Sequence, residues 1–389
     1  MTSHDIIDQR IKKNFGITGS SITVLRAFNI GERVNLHQIK LPDTLKAVSS
    51  FPNGFRLHYQ PLALTLGTAT LPIAEGLSGM MKAHLWPFGS CVLQLECGLL
   101  ITSLDELISL SSIIQNKQEL LTLFFTSHMD NLILQIKQHV IGYKISDIID
   151  DYTYFTIQGS SPDDMARLLE SDDLACLVLG EVNFHPSRQT KSELQSGVFQ
   201  YSTGDLTIIN YHSAVIFDEK NQDSIMNLLT LGLGYAEEIR SYHGWMKQKI
   251  QEEWDRIHSK SRYVPLNNLL QAILVTTVEI AKLWGEVGNS LEIIDDNYLA
   301  RILRHVLDHE FRVNEMIASI RTQQQSLNDY MDTISNHRHN QESSRLERII
   351  IYLILAEIGI SLSPMYKELG IDRFVQGMFH KPYIWSGFW

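Results

Sequence analysis

Leu206-Thr-Ile-Ile-Asn-Tyr-His-Ser-Ala-Val-Ile-Phe217 is followed by the polar stretch Asp218–Gln222, and then by Leu228, Leu231, Tyr235, Ile239, Tyr242, Met246, Ile250, Trp254 and Ile257. The first run is rich in β-branched residues and predicts a strand, the last in the chain. The second series recurs at spacings of three and four, the mark of a helical seam. The period of the apolar pattern therefore changes at about residue 218. Strands first and long helices afterwards predict an α+β fold rather than alternating βαβ units.

Upstream of the change, Ile22–Ile30 is a β-rich run, and Pro42, Pro52, Asn53 and Gly54 supply turns. Cys91-Val-Leu-Gln-Leu-Glu-Cys97 reads as a strand after the Pro87/Gly89 break. Its two cysteines are six positions apart and share one face. Ser103 with Glu106 forms a capping-box pattern that starts helical structure running, in one or two pieces, to about Val140. Tyr152–Ile157 predicts another strand. Ser161-Pro162-Asp163-Asp164 predicts a helix start with a capping serine and acids at the positive end of the dipole.

Downstream, a second helical series runs from Leu269 to Ile294, opened by Pro265. A third holds Leu299, Ile302, Val306, His309, Val313, Met316, Ile320, Gln323, Leu327, Tyr330 and Ile334 in unbroken three–four alternation. The expectation is long antiparallel or coiled-coil-type helices. After His337–Gln341 comes the most apolar run of the chain, Ile349–Leu362, entered through Arg345-Leu-Glu-Arg348 and carrying Glu357. It is apolar on every face, unlike a surface helix. Eighteen residues separate Arg348 from Lys367, roughly 27 Å as a helix and close to the length a bilayer requires. Glu357 opposes simple lipid exposure. Arg345, Arg348, Ile349, Ile350, Ile351, Leu353, Ile354, Leu355, Glu357 and Ile358, with Trp385 and Trp389 in the aromatic tail, are the candidate membrane or partner anchor. The domains expected are 1–218, an α+β globule with a sub-division near 141–160; 219–341, the long helices; and 342–389, the anchor and tail.

The formal net charge of −11 disfavours a nucleic-acid binder, because phosphate binding relies on clustered Lys and Arg. Three cysteines, none in CxxC spacing, fit a reducing compartment. Met1–Gly16 has no apolar core and carries Asp5 and Asp8, so the cytoplasmic side is expected. Chemistry is thinly represented. No P-loop, GxGxxG after a strand, GxSxG elbow or kinase signature occurs. Gly232-Leu-Gly234 sits in a helical pattern and predicts close helix packing rather than a phosphate loop. His305 and His309 are four apart on one helix face, with Asp308 and Glu310 beside them, and are the metal-like pair. His309, on the seam, reads equally as a register-setting polar residue. Asp147–Glu181 holds nine acids and one base, Arg167, and predicts a solvated acidic face. No cofactor is expected.

Several separated segments resemble one family: Phe28-Asn-Ile-Gly-Glu32, Phe88-Gly89, Asp151-Tyr-Thr-Tyr-Phe155, Leu206–Asp218 leading into Glu237-Glu-Ile-Arg-Ser-Tyr242, Asp296-x-Tyr298-Leu-Ala-Arg301, and Arg345-Leu-Glu-Arg-Ile-Ile-Ile-Tyr-Leu-Ile-Leu-Ala-Glu357. Together they look like the bacterial branch of the "required for meiotic nuclear division" (Rmd-type) proteins, a family of unknown biochemical function. The resemblance implies an α/β part, long helices and a C-terminal hydrophobic segment. It also implies scaffolding or tethering, at the mitochondrial inner membrane in eukaryotic relatives. The expectation is a non-catalytic, membrane-associated scaffold that faces the cytoplasm, self-associates through its helices and binds a protein partner. The rival readings are a metal-dependent or acidic-site enzyme and a purely soluble homo-oligomer.

Overall fold

A computed structural model describes residues 16–39, 46–48, 60–73, 76–101, 103–142, 149–258, 297–326 and 350–354, with scattered positions at 275–285 and 329. The chain divides into two compact units, Met1–Gln323 and Gln324–Trp389. Everything below concerns the first, except the helical residues at 350–354.

The strands are β1 (Gly19–Asn29), β2 (Arg33–Val34), β3 (Lys46–Val48), β4 (Leu62–Thr70), β5 (Ser78–Leu85), β6 (Ser90–Leu99), β7 (Val140–Ile141), β8 (Asp150–Gln158), β9 (Val198–Phe199), β10 (Thr207–Ile209) and β11 (Ser213–Ile216). Nine of them form one sheet in the order β3-β4-β5-β6-β1-β8-β11-β10-β9, while β2 pairs with β7. Every pairing in the large sheet is antiparallel except β8 with β11. That one parallel pair needs a crossover. It is supplied by α3 (Pro162–Glu170), α4 (Asp172–Leu179) and α5 (Arg188–Ser196). Earlier in the chain come α1 (Leu104–Asn116) and α2 (Gln118–Ile136).

Both faces of the sheet are covered, which explains why its strands read as nearly continuous apolar runs. On β1, Ile22, Val24 and Phe28 join a buried cluster with Leu107, Phe125, Leu168 and Leu177 from the helices of one face. The alternate residues Leu25, Ala27 and Asn29 turn to the other face, where the 37-residue helix α6 (Gln222–His258) packs on β1, β6 and β8. Residues 228–239 of α6 are buried on every side. This stretch is a central helix, held between the sheet and α7 (Asn297–His305) with the turn that follows it.

Cys91 and Cys97 do share a face, both buried in the apolar cluster, and burial pushes the Cys97 thiol up to about 11. The Ser103 and Ser161 caps form as expected, the latter a complete capping box with Asp164. Two expectations are corrected. Leu206–Phe217 is not one strand: the Asn210 amide donates to the Ser213 carbonyl at 2.8 Å, folding the run into the β10–β11 hairpin. The third helical series is broken as well. Val306–Glu310 is a π turn closed by the Phe311 amide on the Val306 carbonyl, and Arg312 follows with φ of 50° before a new helix starts at 313. The wider turn adds a residue to the repeat, so His309 is exposed and Glu310 takes the inward position. From Phe311 beside Gly232 to Ser319 bonded to His243, the new helix advances along α6 in the same direction. The second series, Leu269–Ile294, lies outside the described residues apart from isolated helical positions.

Candidate functional site

Gly232 and Gly234 decide how deeply α6 sits. A Cβ on Gly234 would lie 3.0–3.2 Å from the Trp86 indole, and one on Gly232 would lie 2.8 Å from Val306. The close packing expected of this pair is therefore what it provides. Gly234→Val is expected to cost about 1–3 kcal/mol of stability, measured by chemical denaturation; an unchanged midpoint would remove the glycine from this role.

Seated this way, α6 carries three charged side chains onto the end of β1 and the start of β8. Glu238 accepts a 2.8 Å bond from the Asn29 side-chain amide, and Arg240 pairs with Asp150. Positions 238 and 240 lie about 160° apart around a helix, with 237 between them. Glu237 is thus directed at the sheet between Asn29 and Asp150. It is fully buried, and among the described residues neither of its carboxyl oxygens completes a hydrogen bond. Burial, reinforced by the neighbouring Glu238, raises its pKa well above the ordinary 4.5, and the dipole of the nearby Asn29 backbone, short of a full hydrogen bond, only partly opposes this. Among the described residues one oxygen of Asp150 is unpartnered, and burial lowers the pKa of Arg240. The raised pKa favours the neutral, protonated form of Glu237 relative to a free carboxyl.

The other face of the same strand ends is also charged. Arg26, directly opposite Asp151, is fully buried; it donates to the Leu25 carbonyl and the Gln118 side chain, and its guanidinium lies 5.7 Å from the Phe125 ring centre. Burial brings it down to about 10, against the pull of Asp151. Asp151 lies 4.0 Å from His212, in the β10–β11 turn. Consecutive residues of β8 thus serve opposite faces: Asp150 meets Arg240, and Asp151 meets Arg26 and His212. Further along the α6 face, His84 bonds Gln94 at 2.9 Å and Gln94 reaches the Tyr154 hydroxyl at 3.4 Å. Burial takes His84 down to about 4, so it is neutral at pH 7.

His305 and His309 do come together, with ring centres 4.9 Å apart. The partner of His305 is a carboxylate: its Nε2 lies 2.8 Å from Glu310, both side chains nearly buried, while Phe199 meets the His305 ring edge to face. Among the described residues, no three His, Cys, Asp or Glu side chains form a group able to hold a metal ion. His305→Ala should cost about 1–3 kcal/mol, because Glu310 would stay buried without its partner, whereas the exposed His309→Ala should leave stability unchanged. Equal losses would contradict this assignment.

Of the acidic run, Asp150 and Asp164 are buried and engaged, and Asp172 binds Lys191 and His185. The solvated face is the remainder: Asp163, Glu170 and Glu181 are exposed and Asp173 is half-buried. Within the anchor, Ile350, Ile351, Leu353 and Ile354 are helical and exposed. Arg345, Arg348, Ile349, Leu355, Glu357, Ile358, Trp385 and Trp389 lie outside the described residues. No described helix is long and apolar enough to cross a membrane.

Glu237-Glu-Ile-Arg-Ser-Tyr242 enters the sequence reading only as part of a family resemblance, and not as a buried cluster, because Glu237, Glu238 and Arg240 look like the polar interruptions of an ordinary seam. The available signal was two adjacent acids where the apolar pattern runs almost unbroken.

A protein of Methanocaldococcus jannaschii described as "Uncharacterized protein MJ0711" is 22% identical over 228 residues, 57% of this chain and 68% of that protein. No solved structure matches. The Rmd-type assignment is not carried by these matches; what they support is an uncharacterised family. Asn29, Asp150 and the whole strand scaffold fall inside the matched region below, whereas Glu237, Glu238, Arg240 and His305 lie beyond it. The model of the family described as "Uncharacterized protein MJ0711, N-terminal domain" matches residues 19–224, more than half of the chain and all of its strands, and the chain belongs to that family.

Proposed function

We propose that this chain is a non-catalytic scaffold or tether that attaches to a membrane or protein partner through its C-terminal apolar helix and self-associates through its helical region. The observation that carries the reading is at Ile350–Ile354. These successive helical residues are 50–70% exposed, which leaves no side of a full helical turn covered. Exposed contiguous apolar surface of this kind marks an interaction site. The flanking Arg345 and Arg348 suit a boundary between an apolar layer and water. The sheet unit supplies the rigid body, and its most polar interior features, the Glu237 and His305–Glu310 clusters, serve to position α6 and α7.

The Rmd-type resemblance of Arg345–Glu357 favours the same tethering reading, on the cytoplasmic face of a membrane. Membrane fractionation with carbonate extraction tests it. The full chain is expected in the carbonate-resistant pellet and a chain ending at Gln341 in the supernatant. Recovery of both in the supernatant would remove membrane attachment.

A further inference from the structure

We propose that the exposed basic stripe of α7 docks onto the acidic α3–α4 surface of a second copy of this chain, giving a head-to-tail contact sensitive to salt. Arg301 and Arg304 lie three apart on one exposed helix face, and Arg312 is exposed just beyond the π turn. None of the three has an ion pair among the described residues, although the chain carries a formal charge of −11. The two acids of this stretch are already engaged: Glu310 is turned inward onto His305, and Asp308 accepts from Asn314 at 2.6 Å. Three exposed arginines therefore outnumber the acids left at this surface, half-buried Asp308 and exposed Glu315. Arg301 is also steadied, its guanidinium lying 6.0 Å from the Phe199 ring centre.

The complementary surface is on the opposite side of the sheet. Asp164 is tied to Arg167, and Asp172 to Lys191 and His185. Asp163, Glu170, Asp173 and Glu181 are left on the outside of α3 and α4 without an ion pair among the described residues. α4 packs on α1 and β11, whereas α7 packs on α6, so the sheet stands between the two charged surfaces and one chain cannot join them. A second copy can. Because the two patches differ, the contact is heterologous and propagates beyond a dimer unless it closes into a ring. The contribution of each surface pair is small, and the patch acts by steering and register.

This inference deepens the self-association part of the proposed function and is independent of the C-terminal attachment. Sedimentation of the full chain, in detergent if attachment demands it, tests it directly. Association is expected to weaken at least about tenfold between 50 and 500 mM NaCl, as screening removes exposed attractions. Arg301→Glu with Arg304→Glu should abolish it, and so should Glu170→Lys with Asp173→Lys. Mixing the two variants should restore association, because the intact acidic surface of one meets the intact basic stripe of the other. Association unchanged by either reversal, or no recovery on mixing, would overturn the docking. Neither result bears on the Gln341 truncation, so failure here and failure of the attachment reading are distinguishable.

Discussion

Arg240→Leu is expected to lower the stability of the fold by about 3 kcal/mol, because it strands a carboxylate inside the protein. Among the described residues Asp150 has a single cationic partner, Arg240, and its second oxygen is already unpartnered. Both side chains are largely shielded from water, so the loss is a desolvated charge without compensation rather than a surface pair. The companion variant separates this from lost packing. Asp150→Val on the Arg240→Leu background removes the orphaned charge and places a β-branched residue in a strand, where it packs well. Most of the loss should then return, with a coupling of at least about 1.5 kcal/mol in the double-mutant cycle. Additive losses would mean that the pair matters only as bulk.

Glu237→Gln should act in the opposite direction and stabilise the protein at neutral pH by about 1–3 kcal/mol, because glutamine has no ionisation for burial to suppress. The sign follows from its pKa, which is higher in the folded than in the unfolded chain. Below the unfolded value of 4.5 both states are protonated, and Glu237 adds no penalty. As pH rises above it, the unfolded chain ionises first, and stability falls by about 1.4 kcal/mol per unit until the folded pKa is passed. The glutamine variant lacks this slope. Denaturation curves between pH 5 and 8 should therefore show a gap between variant and wild type that widens with pH. A constant gap, or a destabilised variant, would show that Glu237 is ionised and partnered in the fold.

These two residues also show what the sequence could and could not convey. β1, β6 and β8 were legible because β-branched runs bounded by turns have few other readings, and the Ser103 and Ser161 caps because capping is decided within four residues. The seam of α6 was legible as far as Met246 for the same local reason. Apolar spacing cannot register a π turn, since one extra residue at Val306–Glu310 leaves the three–four alternation intact on paper while moving His309 to solvent and Glu310 inward. Nor could it reveal that Asn210–His212 turns the chain back, because isoleucines flank the turn on both sides. β4 and β5 were not anticipated at all: Gly67 and Gly79 interrupt their alternation, and a Cβ on Gly79 would collide with the Glu96 carbonyl at 1.8 Å. The charged strand ends are tertiary in origin. Asp150 and Arg240 are ninety residues apart, and only the passage of α6 over β1 joins them.

Attachment through the C-terminal segment is tested most directly by sedimentation of the full chain, without detergent, beside a chain ending at Gln341 at the same concentration. The full chain is expected to pellet with vesicles, and the shortened chain to lose vesicle binding while keeping the salt-sensitive association between the α7 and α3–α4 surfaces. Two species of monomer mass, neither of them binding vesicles, would contradict the account.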